Sequence, residues 1–475
     1  MPFAADPEHV HEALCAPRPY SFWLDSSRVM PGVSRFSFLG FPGGRHGEVL
    51  RYRVGSPAVE VLDATGQPRG ELPGDIFGAL RDRLTERAVP TDELPFDLDG
   101  GYVGYFGYEL KADCGSPNTR VSPAPDAVWI AATRLVAIDH ELGETWLVAL
   151  CRDGEDDAER WIADAREELA GQASPVVPDR GDELDFSDLL RVPRDRYLDD
   201  VEACLEQLRA GESYEICLTN EVDLDFTGDP RALYRRQRRH NPAPYAAYLA
   251  LGDVQVLCSS PERFLRVGRD GVCESRPIKG TAPRRGDPAI DDVVRKELAS
   301  SDKTRAENLM IVDLLRNDFG RVCRMGSVHV PSFLAVESYA TVHQLVSTVR
   351  GRLPEGTDAV ELTRACFPGG SMTGAPKLRT MEIIDELEDR PRGVYSGALG
   401  YFGLGGAADL NIVIRTAVAQ RGRLSAGAGG AIVLDSDPVE EHEEMLLKLH
   451  APLRGLTRRD VGGPTGSGFS RPPAR

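Results

Sequence analysis

The 475-residue sequence has no long apolar run, no low-complexity tract and no excess of positive charge, and each absence narrows what the chain does. Without a window of membrane-spanning length it is expected to stay in water. Residues 1–11 carry Asp6 and Glu8 and no apolar segment, so no signal peptide is expected and the expected location is the cytoplasm. Lys and Arg number 56 against 74 Asp and Glu, a net charge of −18, which argues against nucleic acid or an anionic membrane as partner. An anionic ligand therefore needs Lys, Arg or a metal placed locally. The nine cysteines are scattered, with no CxxC and no Cys/His cluster, which disfavours zinc and suits reduced, buried thiols. A phosphate loop is also missing. Gly369-Gly370-Ser371-Met372-Thr373-Gly374-Ala375-Pro376-Lys377 fails the GxxxxGK[ST] pattern, because Pro376 precedes the lysine and Leu378 follows it.

What remains is an ordinary globular composition, 41% hydrophobic and 27% charged, long enough for one large core or two domains. Up to about residue 170 the chain reads as short strands followed by a helix. Leu50, Tyr52 and Val54 alternate with Arg51 and Arg53 at the strand period, and Trp161, Ile162, Ala165 and Leu169 have helical spacing. The glycine- and aromatic-rich run 100–109 suits a tightly packed bend. Residues 172–184 are polar and aperiodic, the expected boundary or surface loop. The expected division is an N-terminal region 1–171, a linker 172–191, a catalytic domain 192–456 and a disordered Gly/Pro/Arg-rich tail 457–475.

The second half holds the residues with chemistry. Lys279 lies in a strand-to-turn segment between a rigid Pro277 and a permissive Gly280. Glu262 follows Pro261 at the mouth of a strand spanning residues 254–258. In the helix expected over 302–317, with Asp302 as cap, Glu307 shares a stripe with Met310, Ile311 and Leu314. A carboxylate on that stripe is paired, protonated or metal-bound. Asp437 and Pro438 open a last helix in which Glu441, Glu444 and Lys448 share one face. Two helices each presenting glutamates make a hard-oxygen site suited to Mg²⁺. Anion sites are expected at the N-terminus of a helix spanning 377–387 and at the 426–430 glycine run, with Arg415 in the apolar strand between them.

Taken in order, SPERF, RPIKGT, DKTRAENLMIVDLLRND, VHQLVST, PGGSMTGAPK, SGALGYF, DLNIVIRT and EEHEEMLLK closely resemble the chorismate-utilising enzymes over about residues 192–455. The stretches SFWLDSS, SRFSFLG and GGYVGYFGYE resemble the N-terminal region of the family's amine-transferring members. The resemblance implies an α/β fold of the α+β type: two facing, mainly antiparallel sheets with helices outside and the site in a cleft. Anthranilate, isochorismate and salicylate synthases carry alanine where Lys279 stands. The lysine implies the branch that forms 4-amino-4-deoxychorismate, a transaminase-type reaction serving 4-aminobenzoate and folate synthesis. It further implies Glu262 as acid, Lys279 as a nucleophile of lowered pKa, and Mg²⁺ on Glu307 and Glu444 with Glu441 near. Arg415, Tyr395, Gly427, Ala428, Gly429, Thr281 and Lys448 would bind substrate. Glu215 stands where water-using relatives have a lysine base, and is the candidate ammonia site. His343 lies one residue before the usual histidine position, so it receives no role. Because no GxCxG glutaminase motif occurs, the resemblance implies a separate class I glutamine amidotransferase partner, with tryptophan a candidate ligand of the SFWLDSS region. The competing readings are an anthranilate synthase component I and a non-catalytic chorismate-binding regulatory homologue.

Overall fold

A computed structural model of the chain describes residues 1–30, 32–89, 94–117, 120–151, 157–171, 184–339 and 342–462. Most of the expected linker, 172–183, and most of the expected tail, 463–475, lie outside the described residues. The described remainders are packed. Leu184 and Phe186 are buried, Leu190 bridges to Val222, and Asp460 accepts from Arg236 while Val461 bridges to Phe226.

Two antiparallel sheets carry the molecule. The ten-stranded sheet has Gly374–Ala375 at its edge, then Glu215–Asp225, Arg423–Ile432, Thr416–Gln420, Val254–Ser260 and Tyr245–Leu251 as consecutive neighbours, followed by Tyr20–Asp25 and three further N-terminal strands. The twelve-stranded sheet runs from Ile278–Pro283 through Val342–Arg352, against which His329–Ser338 also pairs, then Val272–Ser275, Arg263–Val267, Ala408–Ile412 and Ala398–Phe402 to Tyr102–Phe106 and four other N-terminal strands. Strands from before residue 171 are thus hydrogen-bonded into both sheets, Tyr20–Asp25 against Tyr245–Leu251 and Tyr102–Phe106 against Ala398–Phe402. The halves on either side of the expected linker share these sheets.

Alternation on these strands divides the apolar residues among three buried clusters. One brings Phe22, Leu249 and Val256 of the first sheet against Val103, Tyr105 and Leu399 of the second. The outer faces are covered by helices: Arg194–Arg209 and Pro438–Leu453 on the first, Asp302–Gly320 and Ala359–Cys366 on the second. The middle half of the run 100–109 is a strand, Tyr102–Phe106, with the bend confined to Gly100 and Gly101. Its glycine answers close strand packing, since a Cβ on Gly104 would stand 2.0 Å from the Val128 carbonyl oxygen.

Two further expectations change. The helix Asp302–Gly320 is capped by Ser301, whose hydroxyl accepts from Thr304 N, and Asp302 is its first residue. The apolar run around Arg415 is not one strand. Ala408–Ile412 belongs to the second sheet, Thr416–Gln420 to the first, and Arg415 sits between them with φ 53°. An arginine in the left-handed region costs about a kilocalorie or more, so the crossing between sheets has a backbone reason to be local and fixed. Among the described residues no helix is long and apolar enough to cross a membrane.

Candidate active site

A cavity of about 600 Å³ opens where the two sheets and two of the helices meet. It is lined by Glu262, Lys279, Thr281, Glu307, Tyr395, Arg415, Gly427, Ala428, Gly429, Glu441, Glu444 and Lys448, so the sequence-predicted residues converge with one exception. Glu215 does not line the cavity; it lies directly behind Lys279. A second cavity, about 380 Å³, is formed by Leu24, Asp25, Ser26, Pro244, Tyr245 and their neighbours, and contains none of the expected acid, amine or metal-binding residues.

Lys279 is placed by a break in strand pairing. Ile278–Pro283 pairs with Val342–Arg352, and the register shifts between Ile278 and Thr281. Gly280 at φ 82° supplies the conformation that a bulge of this kind requires. Its missing side chain also makes room for helix 302–320, because a Cβ there would stand 2.4 Å from Thr304 Cγ2. The Lys279 Nζ donates to Glu215 Oε1 at 2.9 Å, and the Glu215 side chain is completely buried.

The charges around this amine set its state. Burial pulls the Lys279 ammonium down, but Glu215, Glu307 and Glu262 outweigh it and hold the group above its ordinary value. The lowered lysine pKa expected from the sequence is therefore not produced by the residues that surround it. Glu262 behaves as expected: burial pushes its carboxyl up to about 7, against the opposing pull of Lys279 and a hydrogen bond with Ser371. Burial likewise raises Glu307, with Lys279 opposing. On Glu444 burial acts in the same sense, but Lys448 reverses it and holds the carboxyl below its usual range; the two groups are 2.8 Å apart.

The other wall is glycine backbone and one arginine. Arg423–Ile432 pairs with Glu215–Asp225 along its whole length, which brings Gly427–Gly429 to the cavity. Lys448 Nζ donates to the Gly429 carbonyl at 2.9 Å. A Cβ on Gly427 would lie 2.5 Å from the Tyr395 ring, so that strand and Tyr395 fit only without a side chain between them. Among the described residues no hydrogen bond or ion pair reaches the Arg415 guanidinium, and burial lowers its pKa. A half-buried, unpaired arginine facing a cavity calls for an anionic ligand.

Several expected features lie elsewhere. Lys377 donates to Asp318 and to the Cys366 carbonyl, and its helix does not line the cavity; of that loop, Ser371 and Met372 do. The reason is packing, since Asp318 is buried and claims the lysine. His343 is buried between Ser338 and Asp291, away from the cavity lining. Sequence reasoning missed Ser371, Thr304 and Lys303. The last two precede Glu307 by one helical turn, a spacing that signals a shared face.

For the expected Mg²⁺, the donors are of the right kind but do not close around a point. Among the described residues no group of three or more His, Cys, Asp or Glu side chains is gathered closely enough to hold a metal unaided. Glu307 makes no hydrogen bond or ion pair there, while Glu441 accepts from Ser436 at 2.6 Å and faces Lys303 at 3.4 Å. Such an open set of carboxylate oxygens is donor chemistry that would suit Mg²⁺, with Glu307, Glu441 and Glu444 as the residues that would hold it.

A model of the family described as chorismate binding enzyme matches residues 54–454. An aminodeoxychorismate synthase of Streptomyces pristinaespiralis is 51% identical over 468 residues, 96% of this chain and 64% of that protein. This chain therefore spans less than two thirds of that relative's length. An aminodeoxychorismate synthase component 1 of Salmonella typhimurium is 41% identical over 371 residues, covering 77% of this chain and 78% of its own. The crystal structure of anthranilate synthase component I from Streptococcus pneumoniae superposes with a TM-score of 0.76 at 28% identity, over 90% of this chain and 93% of that one. With the sheets, the cavity and these matches in agreement, the chain belongs to the chorismate binding enzyme family.

Proposed function

We propose that the chain converts chorismate and ammonia to 4-amino-4-deoxychorismate and water, keeping the enolpyruvyl group. One observation carries this reading: an amine, a carboxyl of pKa about 7 and an unpaired arginine line the same cavity. Chorismate is a dianion whose C4 hydroxyl leaves poorly. In the proposal, Arg415, Tyr395 and the Gly427–Gly429 backbone hold one carboxylate. Thr281 and Lys448 complete the binding wall. Glu262 gives its proton to the C4 hydroxyl, which departs as water. The Lys279 amine bonds to C2 as the two ring double bonds each shift one place and the C4–O bond breaks. Ammonia then bonds to C4, the double bonds shift back, the C2–N bond to Lys279 breaks, and the proton shed by the new amine restores Glu262. Glu307 and Glu444, with Glu441 beside them, would hold Mg²⁺, which when bound neutralises the second substrate carboxylate.

Ammonia is proposed to come from a class I glutamine amidotransferase partner, a reading supported by relatives named component 1. A cytoplasmic location and a role in 4-aminobenzoate and folate synthesis belong to the same proposal. The second cavity, with Asp25 and Ser26 against Phe36, Phe38 and Phe96, suits tryptophan, and calorimetry with the free amino acid tests that ligand. The reaction is tested by incubating the chain with chorismate, Mg²⁺ and ammonium and weighing the product. Anthranilate with pyruvate would sink the assignment. Chorismate left unchanged by folded protein would point to the regulatory reading.

A further inference from the structure

Glu109 ends the glycine- and aromatic-rich run of the N-terminal half and takes no part in the chemistry proposed for the cavity. After the strand Tyr102–Phe106 the chain turns at Gly107 into a short helix, Tyr108–Cys114, which carries Glu109 inward until it is buried. Its two carboxylate oxygens there meet two successive main-chain donors from the other half of the chain. Oε1 accepts from Arg392 N at 2.8 Å, and Oε2 accepts from Gly393 N at 3.0 Å. Tyr108 N donates back to the Gly393 carbonyl at 2.8 Å. The Arg392 guanidinium does not neutralise this carboxylate. It is taken by Glu388 and by the Cys217 and Met372 carbonyls, with its carbon 4.5 Å from the centre of the Tyr108 ring. Among the described residues Glu109 has no ion-pair partner, so backbone N–H groups alone hold a buried acid.

The clasped segment leads into the substrate wall. Tyr395 follows two residues after Gly393, lines the active-site cavity and lies against Gly427. Gly393 at φ 63° and Ser396 at φ 66° stand on either side of it. For Ser396 the left-handed conformation costs about a kilocalorie or more, so the turn keeps its shape only where its ends are tied. One end is tied to the crossing that carries Arg415. Ser396 N donates to the Val413 carbonyl and Val413 N to that of Gly397, each at 2.9 Å. The other end is tied by Glu109.

We propose that Glu109, as a carboxylate, is a positioning residue for chorismate: it clasps the main chain at Arg392 and Gly393 and so fixes the Tyr395 ring in the anion-binding wall. This rests on the reading that chorismate occupies the cavity. The geometry calls for the ionised form. A carboxylate accepts at both oxygens, whereas a protonated carboxyl or an amide turns a hydrogen toward one of the two donors. Burial pushes Glu109 up to about 7, with Asp126 acting in the same sense and the Arg392 and Gly393 N–H groups opposing. The other charges on the packed elements have partners of their own: Lys111 pairs with Asp385, Arg392 with Glu388, and Asp113 is hydrogen-bonded by Tyr52. Burial holds the Tyr105 and Tyr108 phenols far above neutrality. The clasp is therefore complete above about pH 7 and is lost as the pH falls through that value.

The test is steady-state turnover of chorismate by the full-length chain, with Mg²⁺ and saturating ammonium, at pH 8 and pH 6. In Glu109→Gln, KM for chorismate is expected to rise about tenfold at pH 8 with kcat within about twofold of the parent, because one charge-assisted hydrogen bond is lost. At pH 6 the parent's own carboxyl is mostly protonated, and the ratio of variant to parent KM is expected to shrink to about twofold. Taking that ratio at each pH cancels the titration of Glu262, which both proteins share. In a Tyr395→Leu background, Glu109→Gln is expected to change KM by no more than about twofold, the non-additivity of a residue that acts through Tyr395. A carboxylate that merely stabilises the fold would lower Tm and leave KM alone, or raise KM by one factor at both pH values and in both backgrounds. Either result overturns the role of Glu109. Should Glu109→Gln fail to fold, Asp126→Asn decides: removing that neighbouring charge is expected to move the low-pH rise in KM to lower pH, and an unmoved profile overturns the proposal. A folded parent that leaves chorismate unconverted refutes the reading of the cavity itself, and the positioning role with it.

Discussion

Replacing Glu262 by Gln is expected to stabilise the fold while removing turnover. The Glu262 carboxyl has an ordinary value of 4.5 and is pushed up to about 7 by burial. Between those values the folded state binds more protons than the unfolded one, so stability falls as pH rises and the loss is complete above the folded value. At 1.36 kcal/mol per pH unit the burden is about 3 kcal/mol, an upper bound because part of the group faces cavity water. Glutamine fills nearly the same volume and does not ionise. Unfolding entropy of about 2.1 cal/mol/K per residue makes this stabilisation worth about 3 °C in Tm for a chain of 475 residues. Melting curves at pH 5 and pH 8 check the sign: the variant gains over the parent at pH 8 and gains much less at pH 5. With ammonium as donor, kcat/KM is expected to drop about 10²- to 10⁴-fold. A gain equal at both pH values, or a variant less stable at pH 8, would refute the electrostatic reasoning even with activity lost.

Other perturbations separate binding, folding and metal. Arg415→Met removes a guanidinium that has no hydrogen-bond or ion-pair partner among the described residues, so chorismate binding is expected to weaken about tenfold or more in calorimetry with Tm unchanged or raised; undiminished affinity would remove Arg415 from the anion site. Arg392→Met leaves the buried Glu388, which it grips at 2.7 and 2.8 Å, without its counter-charge. The cost of breaking such a pair is about 3–5 kcal/mol. A large fall in Tm or insoluble protein is the expected outcome, and a Tm within a degree of the parent contradicts it. Stripping divalent ions with a chelator is expected to abolish product formation and weaken chorismate binding while leaving the melting curve nearly unchanged, because the glutamates do not gather around a metal unaided. Restoration by Mg²⁺ but not by Zn²⁺ would agree with the oxygen donors, whereas full activity in the chelator would count against any metal role.

Much of the site is legible in the residues because it rests on local geometry. Pro277 and Gly280 mark a held lysine, the helical stripe marks Glu307, and the Asp437–Pro438 start marks the face that carries Glu441 and Glu444. Each depends on contacts within a few residues, which periodicity and capping report directly. The order of the motifs was enough to place the chain near its family and to anticipate two facing sheets.

Other features depend on partners distant in sequence. That Arg415 marks a crossing from one sheet to the other, rather than the middle of a strand, follows from pairing with Arg263–Val267 on one side and Val254–Ser260 on the other. Lys377 is taken by Asp318, 59 residues earlier, and so leaves the cavity to Ser371. Most telling is Lys279. The sequence by itself determined that an amine stands at a rigid turn, but not its charge. Only the tertiary structure surrounds it with Glu215, Glu262 and Glu307, from positions between 17 and 64 residues away, and so holds its pKa above the ordinary value in spite of burial. The physical reason is that composition and period describe each segment alone, whereas a pKa is set by whichever charges the fold brings within a few ångströms.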